Sequence, residues 1–161
     1  MKKIKICADP FPPYQYINDN GEAEGLDHEL INAAFNDAGY SMDIKIAPWN
    51  EVIDAFEKKE YDALFQVQDT PERRKKYFLS YKLRDAVTDV VKVAGSGIQA
   101  DSYDKLSEYR IGLIDGFANG EDIDRLPEEC KIFHEDTREM IDALTAGEID
   151  VAVCDRGVVK Y

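Results

Sequence analysis

The chain has 161 residues, 33 of them acidic and 20 basic, for a formal net charge of −13. An excess of that size repels phosphate backbones and anionic headgroups, which sets nucleic-acid and membrane-surface roles aside. Hydrophobic residues make up 44% and aromatics 11%, enough for a packed core, and the length allows one domain or two small lobes that lean on each other.

Met1-Lys2-Lys3 looks like the basic start of a signal peptide. Residues 4–7 alternate, however, and meet Asp9-Pro10 with no apolar stretch behind them, so an export signal or anchor is expected to be absent from this chain. No run approaches the roughly 20 apolar residues that span a bilayer. Residues 2–8 read as a strand, and 14–17 with 23–25 as a small hairpin around the turn signal Asn18-Asp19-Asn20-Gly21. Leu30, Ile31, Ala34 and Phe35 mark the apolar face of a helix over 27–38, stopped by Gly39. A strand at 42–47, a helix at 50–59 and a strand at 61–67 follow. After an irregular basic stretch, 86–94 reads as a long β-branched strand ending in Gly95-Ser96-Gly97.

The second half continues the alternation. Helices are expected around 103–108, 120–124 and 137–146, strands at 111–114, 131–134 and 150–154, and a further element begins at 158–161. Strands alternating with helices imply βαβ crossovers and parallel sheets. The three cysteines, Cys7, Cys130 and Cys154, are far apart and lack C-x-x-C spacing. They fit free buried thiols better than a disulfide framework, although one pair is still allowed.

An internal echo organises the chain. Glu51-Val-Ile-Asp-Ala-Phe-Glu-Lys-Lys-Glu-Tyr-Asp62 aligns without gaps on Glu139-Met-Ile-Asp-Ala-Leu-Thr-Ala-Gly-Glu-Ile-Asp150, with six of the twelve positions identical. Asp9-Pro10-Phe11 is likewise answered by Asp115-Gly116-Phe117. Both matches in the same order point to two similar α/β lobes, expected over 1–88 and 89–161. Ligands of open α/β sheets gather at the carboxyl ends of strands, here residues 9–11, 66–70, 115–118 and Asp155, and two facing lobes would bring these into one cleft.

Taken together, Asp9-Pro-Phe-Pro-Pro-Tyr14, Gly25-Leu-Asp-His-Glu-Leu30, Trp49 opening a helix, Tyr61-Asp-Ala-Leu64, Thr70-Pro-Glu-Arg73, Phe78-Leu-Ser80, Ile111-Gly-Leu-Ile-Asp-Gly116 and Asp150-Val-Ala-Val-Cys-Asp155 resemble the bacterial extracellular solute-binding proteins of family 3. The segments run in the family's order over nearly the whole chain. The resemblance implies a type II periplasmic-binding-protein-like fold: two α/β lobes, each a mostly parallel sheet with flanking helices. The family returns to its first lobe beyond the point where this chain stops, so the C-terminal return segment is expected to be missing. Either the chain is shortened or another chain fills the gap, which makes self-association an expectation.

The resemblance also implies a site. The arginine of Thr-x-x-Arg, here Arg73, grips the ligand's α-carboxylate, for which a guanidinium's paired donors are well shaped, and Thr70 adds a hydroxyl or caps the turn. Without that context, 73–76 reads as a solvated basic run. Asp155 on its own reads as a helix N-cap; the resemblance adds a contact to the ligand's α-ammonium. A zwitterion leaving water needs both charges met. Phe11, Tyr14 and Trp49 fall where the family places rings over the ligand side chain, with core packing as the ordinary alternative. Asp9 is suited to a cationic side chain, and Gln66 and Gln68 to a polar ligand. Phe117 stands with Ala118 where a threonine is common in the second lobe, which weakens a carboxylate contact there. The segment 62–70 is one residue shorter than the family's usual length.

No G-x-S-x-G, H-E-x-x-H, Walker loop or G-x-G-x-x-G is present. His28 and His134 lack metal-ligand spacing and read as surface or helix-end residues. The expectation is reversible binding of a small amino acid, polar or cationic, by lobe closure, with no cofactor, no metal and no catalysis. The location implied is periplasmic or extracellular, with a membrane transporter permease or a fused signalling domain as the reader of the closed form. Two alternatives on the same fold are a sensor module of a signalling protein and a cyclohexadienyl dehydratase-like enzyme.

Overall fold

A computed structural model describes residues 1–161. The chain divides into two compact units, Met1–Gln68 with Tyr161, and Asp69–Lys160. In the first unit, β1 (Lys2–Ala8) is the central strand of a parallel three-stranded sheet, flanked by β4 (Tyr40–Ile46) and β5 (Ala63–Leu64). Period-two alternation sorts its side chains. Ile6 and Ala8 join Phe65 in a core that takes in Ile31 and Phe35 of α1 (Leu26–Asp37). Cys7, between them, points the other way, its thiol 3.6 Å from the Val52 carbonyl of α2 (Trp49–Glu57). The two helices thus cover opposite faces of the sheet. Leu30, expected on the apolar face of α1, is exposed, because the stripe turned toward the sheet runs through Ile31 and Phe35. A two-stranded hairpin, β2 (Tyr16–Ile17) with β3 (Ala23–Glu24), stands apart from the sheet.

The second unit begins with α3 (Pro71–Lys76) and contains a four-stranded sheet in the order β6-β9-β7-β8. Here β6 is Thr88–Val91, β7 Ile111–Ile114, β8 Lys131–His134 and β9 Val151–Asp155. Pairing is parallel for β7 with β8 and with β9, and antiparallel for the edge strand β6. The strand β7 is buried along its whole length, as parallel strands covered on both faces are. Ile111 and Leu113 pack with Leu106 of α4 (Tyr103–Leu106) and Ile123 of α5 (Glu121–Asp124), while Ile114 packs with Met140 and Leu144 of α6 (Thr137–Ala146). The chain ends in α7 (Arg156–Lys160).

The internal echo is structural. Each unit runs strand, helix, strand, helix, strand with the first strand in the middle: β4-β1-β5 in one, β8-β7-β9 in the other. The repeated acids occupy equivalent places. Asp62 Oδ2 accepts the Lys5 backbone N–H at 2.9 Å, and Asp150 Oδ2 accepts that of Arg110 at 2.8 Å. In return, the Asp62 and Asp150 N–H groups donate to the Lys5 and Arg110 carbonyls. Each acid therefore clasps the backbone of the central strand just before its own strand joins it, Asp62 at the middle of β1 and Asp150 at the residue preceding β7. The second match is less regular. The ladders equate Ile6 with Ile111, which places Asp9 opposite Ile114 and leaves Asp115 one residue out of step.

Asp150 carries a testable consequence. Hydrogen bonds from the Arg110 guanidinium, and then from its backbone N–H, hold the Asp150 carboxyl below the usual carboxylate range. A carboxyl depressed in the folded state stabilises the fold above its unfolded pKa of about 4, and that contribution disappears as pH falls through the folded value. Urea unfolding should therefore find D150N less stable than the unsubstituted protein at pH 7, with the gap closing between about pH 4 and more acid conditions. A gap that stays constant to pH 3 would rule this linkage out.

Several elements depart from expectation. The basic stretch read as irregular contains α3, too short to display apolar periodicity; its signal was Thr70-Pro71, an N-cap followed by proline at the first helical position. The strands expected at 61–67 and 86–94 shrink to Ala63–Leu64 and Thr88–Val91, the lengths over which β1 and β9 offer partners. His134, read as a surface or helix-end residue, is buried at the end of β8. Cys7, Cys130 and Cys154 are free and buried. Residues 69–88, assigned from the sequence to the first lobe, group with the second unit, where Arg84 meets Asp155 and the Val87 carbonyl accepts from the Arg156 N–H.

Candidate functional site

In the first unit the expected site residues collect at the carboxyl end of the parallel sheet. Asp9 follows β1 and is buried. Ala47, just past β4, donates its N–H to the Ala8 carbonyl at 3.0 Å, which brings the start of α2 and its buried Trp49 to the same end. Phe65 donates to the Cys7 carbonyl at 2.9 Å, so Gln66 also leaves the sheet there. Gln66 sits at φ 61°, in the left-handed region that costs a non-glycine residue about 1 kcal/mol. This turn ends β5 after two residues; Gln66 is half-buried beyond it and Gln68 exposed.

The loop that carries Phe11 and Tyr14 is tightly built. Phe11 N–H donates to the Gln15 carbonyl at 2.7 Å, and the Phe11 carbonyl accepts from Tyr14 at 2.8 Å and Gln15 at 3.2 Å. The two rings stack with centroids 5.7 Å apart and an interplanar angle of 26°. Gln15, which no sequence signal singled out, is fully buried and donates through Nε2 to the Asp9 carbonyl at 3.3 Å. The loop is clamped onto α1: Leu26 N–H donates to the Pro13 carbonyl at 3.0 Å, and Asp27 and His28 donate to that of Tyr14 at 3.0 and 3.1 Å. The free N–H groups of this helix start are thus taken up by the loop. Gly25 makes the approach feasible, at φ 130° and ψ 164°, a region essentially reserved for glycine.

In the second unit, Thr70 caps α3. Its Oγ1 accepts the Arg73 N–H at 3.2 Å, and Arg73 itself is half-buried. The neighbouring Arg74 is exposed and paired with Asp69. One of the two adjacent arginines is therefore a surface ion-pair partner, and the other is presented by a capped turn. At the carboxyl end of this unit's sheet stand Phe117 and Asp155. Phe117 is partly buried against the core around Ile114 and Met140.

Asp155 takes up the N-cap position. Its Oδ1 accepts the Gly157 N–H at 2.8 Å. Its Oδ2 lies 3.4 Å from Nη1 of Arg84, a residue missed from the sequence because nothing local distinguishes it within 82–85. Burial, and then the Asp155 carboxylate, push the adjacent Cys154 thiol up to about 11, so it stays protonated at neutral pH. No group of three or more His, Cys, Asp or Glu residues is placed to hold a metal ion, and no helix is long and apolar enough to cross a membrane.

Comparison with known proteins gives a consistent outcome. A family model described as bacterial extracellular solute-binding proteins, family 3, matches residues 4–121. A probable histidine-binding protein of Neisseria gonorrhoeae is 25% identical over 154 residues, covering 92% of this chain and 57% of its own length. The chain thus spans little more than half of that relative. Among solved structures, an ancestral arginine-binding protein bound to arginine superposes with a TM-score of 0.85 at 21% identity, covering 99% of this chain and 72% of its own. The arginine-bound form of a truncated arginine-binding protein from T. maritima does so with a TM-score of 0.87 at 19% identity, covering 98% and 76%. At these identities the structures establish the type II periplasmic-binding-protein fold.

Proposed function

Because the chain belongs to the bacterial extracellular solute-binding proteins of family 3, we propose that it binds a small polar or cationic amino acid outside the cytoplasm and presents it to a membrane transporter permease or a linked signalling domain. Arg73 takes the α-carboxylate and Asp155 the α-ammonium, the two charges that a zwitterion must have met when it leaves water. Phe11, Tyr14 and Trp49 supply ring surface, and Asp9, Gln66 and Gln68 the polar contacts to the ligand side chain. Thr70 holds the turn that carries Arg73, and Phe117 closes the core beneath its loop.

The observation that carries this reading is the contrast within 73–76. Within a run of four basic residues, the cation at the third position of the capped turn is half-buried, while Arg74, Lys75 and Lys76 are exposed. The histidine and arginine named for the relatives support a cationic ligand class, as does the acid Asp9 at the carboxyl end of the sheet. The reading places the protein in the periplasm or at the cell exterior.

A thermal-shift screen against the amino acids tests it. A ligand at 100 times its dissociation constant stabilises the native state by about 2.7 kcal/mol, which for a chain of this size raises Tm by roughly 5–10 °C. Arginine, histidine or another polar amino acid should give such a shift and the aliphatic ones should not. No shift with any amino acid would end the proposal.

A further inference from the structure

The Asp155 side chain is only 8% exposed, and both its oxygens are engaged within its own unit, Oδ1 by the Gly157 N–H and Oδ2 by Arg84. The two contacts differ in kind. The first is a short cap bond set by the local chain. The second, at 3.4 Å, is well beyond the 2.7–2.9 Å usual for a charge-assisted hydrogen bond, and the same Nη1 lies 3.4 Å from the Asp85 carbonyl. It is a neutralising contact between opposite charges.

The placement of Arg84 is nonetheless fixed by the fold. Just after it, the Val87 carbonyl accepts the Arg156 N–H at 2.8 Å, and the Arg156 guanidinium grips both oxygens of Asp89 at 2.8 Å. The chain around Arg84 is tied to the end of β9, while its neighbours Leu83 and Asp85 are exposed, so the side chain has a short path to solvent.

We propose that Arg84 is a built-in competitor for the ligand's ammonium: it neutralises Asp155 in the empty protein and must leave Oδ2 for an α-ammonium to bind. This rests on the assignment of Asp155 as the ammonium partner. A carboxylate so little exposed is costly without a counter-ion, and an arginine supplies one when no ligand is present. On binding, the ammonium takes Oδ2 and the guanidinium turns to water. The exchange lowers affinity for every ligand that carries an α-ammonium and leaves ligands without one unaffected, so Arg84 sets the affinity range of the site.

Calorimetric titration of the whole chain with L-arginine and with N-acetyl-L-arginine, which lacks the α-ammonium, tests this. Methionine at 84 keeps most of the stem's volume and removes the charge. The variant R84M should bind L-arginine about fivefold to tenfold more tightly than the unsubstituted protein, the weight of one largely buried ion pair whose members are 21% and 8% exposed. Its affinity for N-acetyl-L-arginine should not change. K82M, which removes a neighbouring exposed cation paired with Asp85, should leave both affinities alone and so excludes a general field effect. If R84M does not fold, R84Q serves in its place. Unchanged or weaker L-arginine binding, an equal gain for the acetylated probe, or an equal gain in K82M would each overturn the competitor role while leaving the binding function standing. Absence of L-arginine binding in every variant and in the parent would overturn the role as stated for L-arginine together with the cationic-ligand reading of the site.

Discussion

Replacing Arg73 with alanine is expected to weaken amino-acid binding by at least about 100-fold while leaving the fold in place. The loss is that of a paired, charge-assisted grip on a carboxylate that has left water; the ligand's negative charge would then face no cation of matching shape. The fold should survive because the Thr70 cap uses the backbone N–H of Arg73, and the Tyr77 N–H donates to the Arg73 carbonyl, bonds that alanine retains. Lysine at the same position keeps the charge but not the planar fork, and should recover only part of the affinity. Calorimetric titration with the best ligand from the thermal screen, together with the unliganded melting temperature, measures both halves of the prediction. An alanine variant that binds as well as its parent would remove Arg73 from the site.

The largest effect on stability is expected at Gly25. A Cβ there would stand 2.3 Å from the Tyr14 carbonyl oxygen and 2.8 Å from the Gln15 nitrogen, both backbone atoms that no rotamer change can move. The residue would also be forced into a backbone region that side chains avoid. Gly25→Ala should therefore cost about 3 kcal/mol or more in urea unfolding, the sum of strain and overpacking. Relief comes only by pulling the 13–15 segment off the start of α1, which breaks its three backbone hydrogen bonds. Because that segment carries the Phe11–Tyr14 stack, ligand affinity should fall with stability. Gly21 is the matched control: φ is 81° but nothing lies within 4 Å, so alanine there pays only the conformational penalty of about 1–2 kcal/mol. Equal unfolding midpoints for the two variants would show that the close approach at Gly25 is unimportant.

These two positions differ in how they could be read from the chain. Arg73 was singled out only by the resemblance; the residues alone read as a solvated basic run, and the short helix that carries it, capped by Thr70 with Pro71 at its first position, was read as irregular. Gly25 was legible only as a glycine beside a hairpin; the carbonyl that leaves no room for a side chain belongs to Tyr14, across that hairpin. Asp62 and Asp150 stand between the two cases. The echo identified them as equivalent, but that they bind the backbone at Lys5 and Arg110, equivalent points of the two central strands, emerged from the register.

The sequence by itself determined the alternation of strands and helices and the duplicated βαβαβ order. These depend on period, capping and turn chemistry, which act over a few residues and are written in adjacent side chains. Tertiary structure alone decided that β5 ends at a left-handed Gln66, that Phe117 packs against the core around Ile114, that His134 is buried, and that Arg84 rests on Asp155. Those outcomes depend on which atoms arrive next to one another from distant parts of the chain, 71 residues apart for Arg84 and Asp155. An ion pair at that separation has no local period to betray it, because the chain between its members sets the distance and no neighbour of either residue encodes it.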